Sequence, residues 1–180
     1  MVIALLSACS GKEKKVLVMS SGDMQISGNT INLKPGTRHH EETFKPEGDS
    51  ITVVSPAGTK GFSVKDAGYY VLNLKNDTIA GAYQRVGTDN SQIVISRENL
   101  KTRIDSLVQL MKGTNVSAAA KNYNLPPNTI AKITDNVNAE IIGPYLSMPR
   151  SFDPSTQHEV YKFYTNRELM EIVEKSGQIK

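Results

Sequence analysis

The stretch DAGYYVLNL, residues 66–74, carries the strand signal on which the predicted fold depends. Successive side chains of a strand point to opposite faces of a sheet, so Tyr70, Leu72 and Leu74 share one face. We predict that this face lies toward the core. A polar turn follows, and residues 78–86 predict a strand that returns beside the first as a hairpin.

The first half of the chain contains further short strand-like segments, separated by turns with glycine or proline. They are residues 16–19, 28–34, 50–54 and 61–64. In the returning strand, Gly81 indicates a bulge or a close approach to the backbone. Short strands at this spacing are typical of a sandwich or barrel, so we predict a β-sandwich-like region over residues 16–95.

Three residues of the quoted stretch, Asp66, Gly68 and Tyr70, form the pattern D-x-G-x-Y. This pattern resembles the turn before strand F of immunoglobulin-like domains, where the tyrosine hydroxyl ties the strand to the preceding corner. The resemblance implies that role for Tyr70 and favours a sandwich. It covers five residues, because the family's next cysteine is Leu72 here and the chain has no tryptophan.

The second half, residues 96–180, predicts a smaller α+β region packed on the first. A helix is predicted over residues 97–112, capped by Ser96 and ended by Gly113, with an apolar stripe on one face. The stripe consists of Leu100, Ile104, Leu107, Val108 and Met111. Strands are predicted at residues 129–134, 139–142 and 158–164.

A second amphipathic helix begins at a capping box. Thr165 and Glu168 have the spacing at which each side chain can bond the other residue's backbone N–H. The helix then presents Leu169, Ile172 and Val173 as its apolar face. The whole chain therefore predicts an α+β fold with two amphipathic helices.

The N-terminus, MVIALLSACSGKEKK, contains the chain's only cysteine, Cys9. Its LSAC segment, residues 6–9, resembles the lipobox of bacterial lipoproteins, where a peptidase cuts before the cysteine and the thiol receives a diacylglycerol. The resemblance implies lipid on Cys9, a signal-peptide remnant over residues 1–8 and a tether over residues 9–15. The apolar segment lacks a preceding Lys or Arg, so we expect the true start codon to lie upstream of Met1.

The residue after the cysteine is Ser10, which does not resemble the inner-membrane retention signal, where aspartate is favoured. The charged residues 12–15 resemble the surface-export signal of Bacteroidetes lipoproteins. Together these resemblances imply an outer-membrane lipoprotein that faces the periplasm or the cell surface. The lipid on Cys9 would be its attachment to the membrane, since the sequence has no second apolar segment of spanning length.

Composition limits the classes of partner. The chain has 38% apolar and 22% charged residues, which is typical of an ordinary globular protein. Its net charge of +3 is slight and its Lys and Arg residues are scattered, so we predict no nucleic-acid partner. Residues 117–130 have a passing likeness to a helix-turn-helix, which we interpret as a short helix followed by a loop ordered by two prolines.

The densest group of potential metal ligands is the run His39, His40, Glu41 and Glu42. On a strand, His39 and Glu41 share one face and the other two residues share the opposite face. At most two ligands then converge, whereas zinc requires three or four. We therefore predict a solvated strand edge and no metal, with these four residues as the only metal candidates.

The sequence contains no recognisable catalytic constellation. It has no G-x-S-x-G elbow and no phosphate-binding loop, and the lipid would consume Cys9. We predict no cofactor. Asp77, Thr78 and Ile79 resemble the O-glycosylation motif of exported Bacteroidetes proteins, so Thr78, in an exposed turn, is a candidate acceptor.

These observations predict a non-catalytic envelope lipoprotein that acts as a binding or assembly component of a membrane-associated complex, with an envelope protein as partner. Four tyrosines could serve that contact if they are exposed. They are Tyr69, Tyr83, Tyr123 and Tyr145. Two alternatives stay open: a glycan or small-ligand binding module, with a concave pocket, and an envelope hydrolase, with carboxylates or a histidine and a hydroxyl in a cleft.

Overall fold

The computed structural model of the protein describes residues 13–84, 86, 97–114, 116–149, 152–153 and 158–177. Within these ranges the chain forms ten strands and two helices, which confirms the predicted α+β class. In chain order they are β1 (Lys14–Ser27), β2 (Thr30–Phe44), β3 (Ser50–Ser55), β4 (Gly58–Ser63), β5 (Gly68–Leu74), β6 (Ile79–Gln84), α1 (Arg97–Met111), β7 (Asn122–Leu125), β8 (Thr129–Thr134), β9 (Glu140–Ile142), β10 (Val160–Thr165) and α2 (Asn166–Gly177).

The strands form two sheets. The first has the order β4-β3-β2-β1-β5-β8 and the second the order β7-β6-β10-β9. The predicted hairpin of β5 and β6 is wrong, because both edges of β5 are occupied by β1 and β8. Residues 75–77 instead carry the chain from the first sheet to the second, where β6 pairs with β7 and β10.

Strand β5 is buried on both faces. Tyr70, Leu72 and Leu74 face one core, as predicted. Side chains of β3 and β4, which form the far edge of the sheet, belong to the same core. Tyr69 and Val71 face a second core, which fills the space between the two sheets. The sandwich therefore has apolar layers on both sides of its central strands.

A third core lies on the outer face of the second sheet. Leu110 of α1 and Leu169 of α2 pack there against Ala80 of β6. The boundary predicted between residues 95 and 96 is not a boundary between sheets, because β6 belongs to the second sheet and β8 completes the first. The later strands thus complete both layers of the sandwich.

The corner before β5 has the hydrogen bond that the immunoglobulin-like resemblance implies. The Tyr70 hydroxyl donates to the Asp66 carbonyl oxygen at 2.8 Å, and the ring is buried in the first core.

We expect Tyr70→Phe to lower the free energy of unfolding by about 1–2 kcal/mol, because the Asp66 carbonyl loses its donor while the ring keeps its packing. Urea denaturation followed by circular dichroism measures this change. A loss below about 0.3 kcal/mol with an unchanged denaturant slope would show that the corner bond contributes nothing net to stability.

The structure contains the capping box at the start of α2 and the glycine at the end of α1 that the sequence predicts. The Thr165 N–H donates to Glu168 Oε2 at 2.8 Å, and the Glu168 N–H donates to Thr165 Oγ1 at 3.2 Å, which confirms the capping box. Gly113 ends α1 in a left-handed conformation, with φ of 68°. The predicted cap at Ser96 lies outside the described residues, as do the side chains of Leu100 and Ile104.

Two further expectations have outcomes here. Gly81 lies directly opposite Phe163 in the pairing of β6 with β10, and the ring packs on its Cα, which confirms the close approach. The short helix expected after Ser117 is wrong, because the chain forms turns and then β7, which pairs with β6.

Neither of the described helices is long and apolar enough to cross a membrane. Cys9 and residues 1–12 lie outside the described part, so the lipobox stays a prediction.

Candidate binding site

The site begins on β2, at the run of histidines and glutamates. His39 and Glu41 lie on one face, as predicted, and His39 Nε2 is 2.6 Å from Glu41 Oε1. His40 and Glu42 alternate with them along the strand. Within the described residues no group of three His, Cys, Asp or Glu could hold a metal ion.

Lys75, just after β5, extends this pair into a chain of three. Its ammonium group lies 3.0 Å from His39 Nδ1, and the residue is only 4% exposed. An ammonium group can only donate, so Nδ1 accepts and Nε2 carries the ring proton that is donated to Glu41. Burial, together with the positive charge of Lys75, lowers the pKa of His39 to about 4. The imidazole is therefore neutral at pH 7, and its contact with Glu41 is a hydrogen bond rather than an ion pair.

Glu41 is held in a poorly solvated position. Burial raises the pKa of its carboxyl group to about 7, against the opposing effect of Lys162 and Lys75. The carboxylate lies directly against Gly143, where a Cβ atom would overlap it. Glycine at this position therefore leaves room for the acid.

Lys162 lies behind Glu41 on β10 and is also 4% exposed. Its ammonium group donates to the carbonyl oxygens of Gly143 at 2.6 Å and Phe163 at 2.7 Å. Burial lowers its pKa. Lys162 thus uses its donors on backbone carbonyls, which fixes the segment that carries Gly143.

Tyr145 forms a wall beside His39. Its ring meets the imidazole edge-on, with centroids 5.2 Å apart, and Lys75 Nζ lies 5.6 Å from the ring centroid. The residue has φ of 65°, a left-handed conformation that costs a side chain of this size about 1–2 kcal/mol. The Tyr145 N–H donates to Glu168 Oε1 at 2.7 Å, which offsets part of this cost. The ring is therefore held in one place while 47% of the residue stays exposed.

These residues surround a cavity of about 500 Å³, which we call the Lys75 pocket. Its lining includes Thr37, His39, Lys75, Thr78, Tyr145 and Asn166. Thr78 is half-buried in this wall rather than in a fully exposed turn, and its glycosylation stays a prediction. Asp77 and Arg167 also reach the cavity, so its charged groups are two cations and one carboxylate.

The Lys75 pocket contains unused hydrogen-bonding capacity. In the described part of the chain, Lys75 Nζ makes one hydrogen bond, to His39, although an ammonium group has three donors. Asn166 Oδ1, at the start of α2, is buried without a hydrogen-bond partner. Buried polar groups are normally paired. Lys75 therefore has donors left for a ligand, whereas Asn166 Oδ1 is enclosed by protein and reaches the cavity only if its amide group turns.

A second cavity, of about 570 Å³, differs from the Lys75 pocket in how its polar groups are bonded. Its central acid, Glu159, accepts hydrogen bonds from the Tyr161 hydroxyl at 2.7 Å, the Thr134 hydroxyl at 3.0 Å and the Lys121 ammonium group at 3.2 Å. Burial acts to raise the pKa of Glu159, but these bonds outweigh it and the pKa is lowered. The lysines of this groove, Lys121 and Lys132, each pair with a carboxylate, whereas Lys75 bonds a neutral imidazole.

Comparisons with protein-family models, with curated proteins and with solved structures each find no match. The chemistry of the pocket therefore rests on its own residues.

Sequence reasoning missed the centre of the site. The sequence predicts a polar hairpin turn at Lys75, and nothing near this residue in the sequence signals burial. Tyr145 was named among exposed tyrosines, and it is exposed, but Tyr69 and Tyr123 are buried in the core between the sheets. The capping box did locate the start of α2 and so offered a signal for Asn166.

Proposed function

We propose that this protein is a non-catalytic binding module of a bacterial cell envelope, anchored by lipid on Cys9, which binds a small polar ligand in the Lys75 pocket. The observation that carries the proposal is the buried ammonium group of Lys75. Removal of a charge from water is costly unless partners replace the water. One neutral imidazole nitrogen replaces part of it, and a ligand would supply the rest.

The engagement of the acid–base groups supports a binding role rather than a catalytic one. Both nitrogens of His39 are bonded, to Lys75 and to Glu41, so neither is open to take a proton from a substrate. Both oxygens of Glu168 are bonded as well, one to the Tyr145 N–H and one in the capping box. These groups position the pocket walls.

An envelope protein partner is the second candidate, favoured by exposed apolar side chains near the pocket. Tyr145, Leu146 and Met170 are 47%, 52% and 52% exposed. The first two belong to the segment that Glu168 holds, and Met170 follows on the same helix. A partner at this surface would contact a wall of the pocket.

The anchor has a direct test in living cells. When cells are grown with labelled palmitate, we expect the wild-type protein to carry label and a Cys9→Ala variant to carry none, because the thiol is the acceptor. Immunoblotting of the same samples controls for expression. Equal labelling of both proteins would contradict the anchor and the outer-membrane location.

The binding role is tested separately on purified protein. A panel of neutral sugars, sugar acids, sugar phosphates and amino acids is screened by thermal unfolding, since a ligand of the folded state raises Tm. We expect at least one member to raise the Tm of the wild-type protein and to have less effect on Lys75→Met. A panel without any effect would contradict a small-ligand site.

A further inference from the structure

We infer that the Lys75 pocket is specific for a small hydroxylated carboxylic acid, with a hexuronic acid as the chemical type. This inference rests on the proposed binding function and names its ligand class. In this arrangement Lys75 holds the carboxylate, the Asn166 amide turns to accept from a ligand hydroxyl, and the ring of Tyr145 packs against the C–H face of the sugar.

The charge of the pocket favours a single negative charge. Its lining contains the cations Lys75 and Arg167 and one carboxylate, Asp77. Arg167 already lies 3.9 Å from the Glu171 carboxylate, so Lys75 is the cation of this lining that a ligand carboxylate would balance. A phosphate monoester carries about −1.5 to −2 charges at pH 7 and would leave its excess charge facing Asp77.

The side chain of Lys75 is preorganised to bind an anion. The residue is only 4% exposed, and its ammonium group is oriented by His39 and by the ring of Tyr145. The entropy of ordering this long side chain has been lost on folding rather than on binding. Two of its donors then remain for the two oxygens of a carboxylate.

Asn166 adds a requirement for a donor on the ligand. Its Oδ1 atom is buried and unpartnered, so a turn of the amide group toward a ligand hydroxyl in the cavity would remove the cost of an unsatisfied acceptor. Thr37 and Thr78 bring further hydroxyl groups to the cavity wall. A simple aliphatic acid would leave Asn166 Oδ1 unsatisfied, whereas the exposed Thr37 can bond water.

The size and aromatic wall of the pocket fit a sugar ring. A cavity of about 500 Å³ lies within the range of about 300–1,000 Å³ that is usual for small-molecule sites. Tyr145 presents an exposed, rigidly held ring, and such rings provide contact area at little entropic cost. The left-handed backbone at Tyr145 holds the ring at this position.

Isothermal titration calorimetry on the purified protein tests the ligand class with glucuronate, glucose, glucose 6-phosphate and inorganic phosphate. We expect glucuronate to bind at least tenfold more tightly than the other three. A second pair of ligands, galacturonate and tri-galacturonate, distinguishes a free acid from a uronic-acid residue of a polysaccharide. Tighter binding of tri-galacturonate than of galacturonate assigns the polysaccharide, and tighter binding of galacturonate assigns the free acid.

Three variants test the residues. Lys75→Met should weaken glucuronate binding at least tenfold, whereas Lys132→Met, a lysine paired with Asp135 at the second cavity, should leave it within twofold. If Lys75→Met does not fold, Asn166→Asp gives the same information, because it adds a negative charge without changing size and suits the first turn of a helix. It should also weaken glucuronate binding at least tenfold.

Glucose or a phosphate that binds as tightly as glucuronate would overturn the inference and leave the proposed binding function intact. Full glucuronate binding by a folded Lys75→Met or Asn166→Asp variant would overturn the assigned site. Failure of every ligand in the wider panel would instead remove the proposed function itself.

Discussion

Replacement of Gly81 by alanine is expected to lower the free energy of unfolding by about 3 kcal/mol. An added Cβ atom would lie 2.5 Å from Cε1 of Phe163, far inside van der Waals contact. Phe163 is fully buried and packs beside Tyr123, with ring centroids 6.3 Å apart, so its ring has little room to retreat. The alternative is a wider spacing of β6 and β10, which weakens their hydrogen bonds.

Guanidinium denaturation measures the loss, with Gly61→Ala as the matched control. Gly61 also lies within a strand, but a Cβ atom there meets open space, so its stability should change by less than about 1 kcal/mol. A double variant tests the cause. If the clash with the ring is responsible, Gly81→Ala combined with Phe163→Leu should cost at least 1 kcal/mol less than the sum of the single changes. Additive costs would contradict the explanation.

The second large effect is a pair of opposite pH dependences at Glu41 and His39. The pKa of Glu41 in the folded protein is about 7, above its value in an unfolded chain, so the folded state binds more protons between about pH 4.5 and 7. Stability from this group falls as pH rises through that range. The pKa of His39 is about 4, below its unfolded value, so the unfolded state binds more protons between about pH 4 and 6.5. Stability from His39 rises with pH.

In each single variant, the pH dependence of stability that remains should come from the other group. Relative to the wild type, Glu41→Gln should gain about 3 kcal/mol of stability between pH 4 and pH 8, and His39→Gln should lose about 3 kcal/mol over the same range. Glutamine at position 41 keeps an oxygen acceptor for His39. Urea denaturation across this pH range gives the two slopes.

The double variant is the control for this experiment. Because the two contributions oppose each other, removal of both should return a pH dependence close to that of the wild type. Slopes of the same sign for the two single variants would show that at least one of the two residues does not titrate as its burial dictates.

The features that sequence predicted correctly depend on short spacings. The corner bond of Tyr70 reaches four residues back, the capping box of Thr165 reaches three residues forward, and His39 and Glu41 share a face because strands alternate. Gly81 signalled a close approach, but its partner Phe163 lies far along the chain. Local patterns identified the element, and the partner came from the fold.

The errors have one physical origin. The polar residues 75–77 suit a return within one sheet as well as a passage to another, and the choice depends on whether β5 has a free edge. Strands β1 and β8 occupy both edges, and neither lies next to β5 in the sequence. The alternating pattern likewise identified one core face of β5, whereas the burial of Tyr69 on the other face requires the second sheet.

The pocket could be predicted only in part for the same reason. The sequence placed His39 and Glu41 together and located the start of α2. It contained no sign that Lys75 would be buried against His39, or that Tyr145 would face both, since these contacts join three distant segments. A buried lysine is rare enough that only the folded chain reveals it.

The position of β10 has a consequence for how the protein is made. It is the last of the described strands, yet it lies between β6 and β9 in the second sheet. A nascent chain that has emerged only to residue 159 therefore lacks the strand that joins those two, and also lacks Asn166 at the pocket. Completion of the second sheet therefore waits until residues 160–165 have been synthesised, and β6 and β9 stay without this shared partner until then.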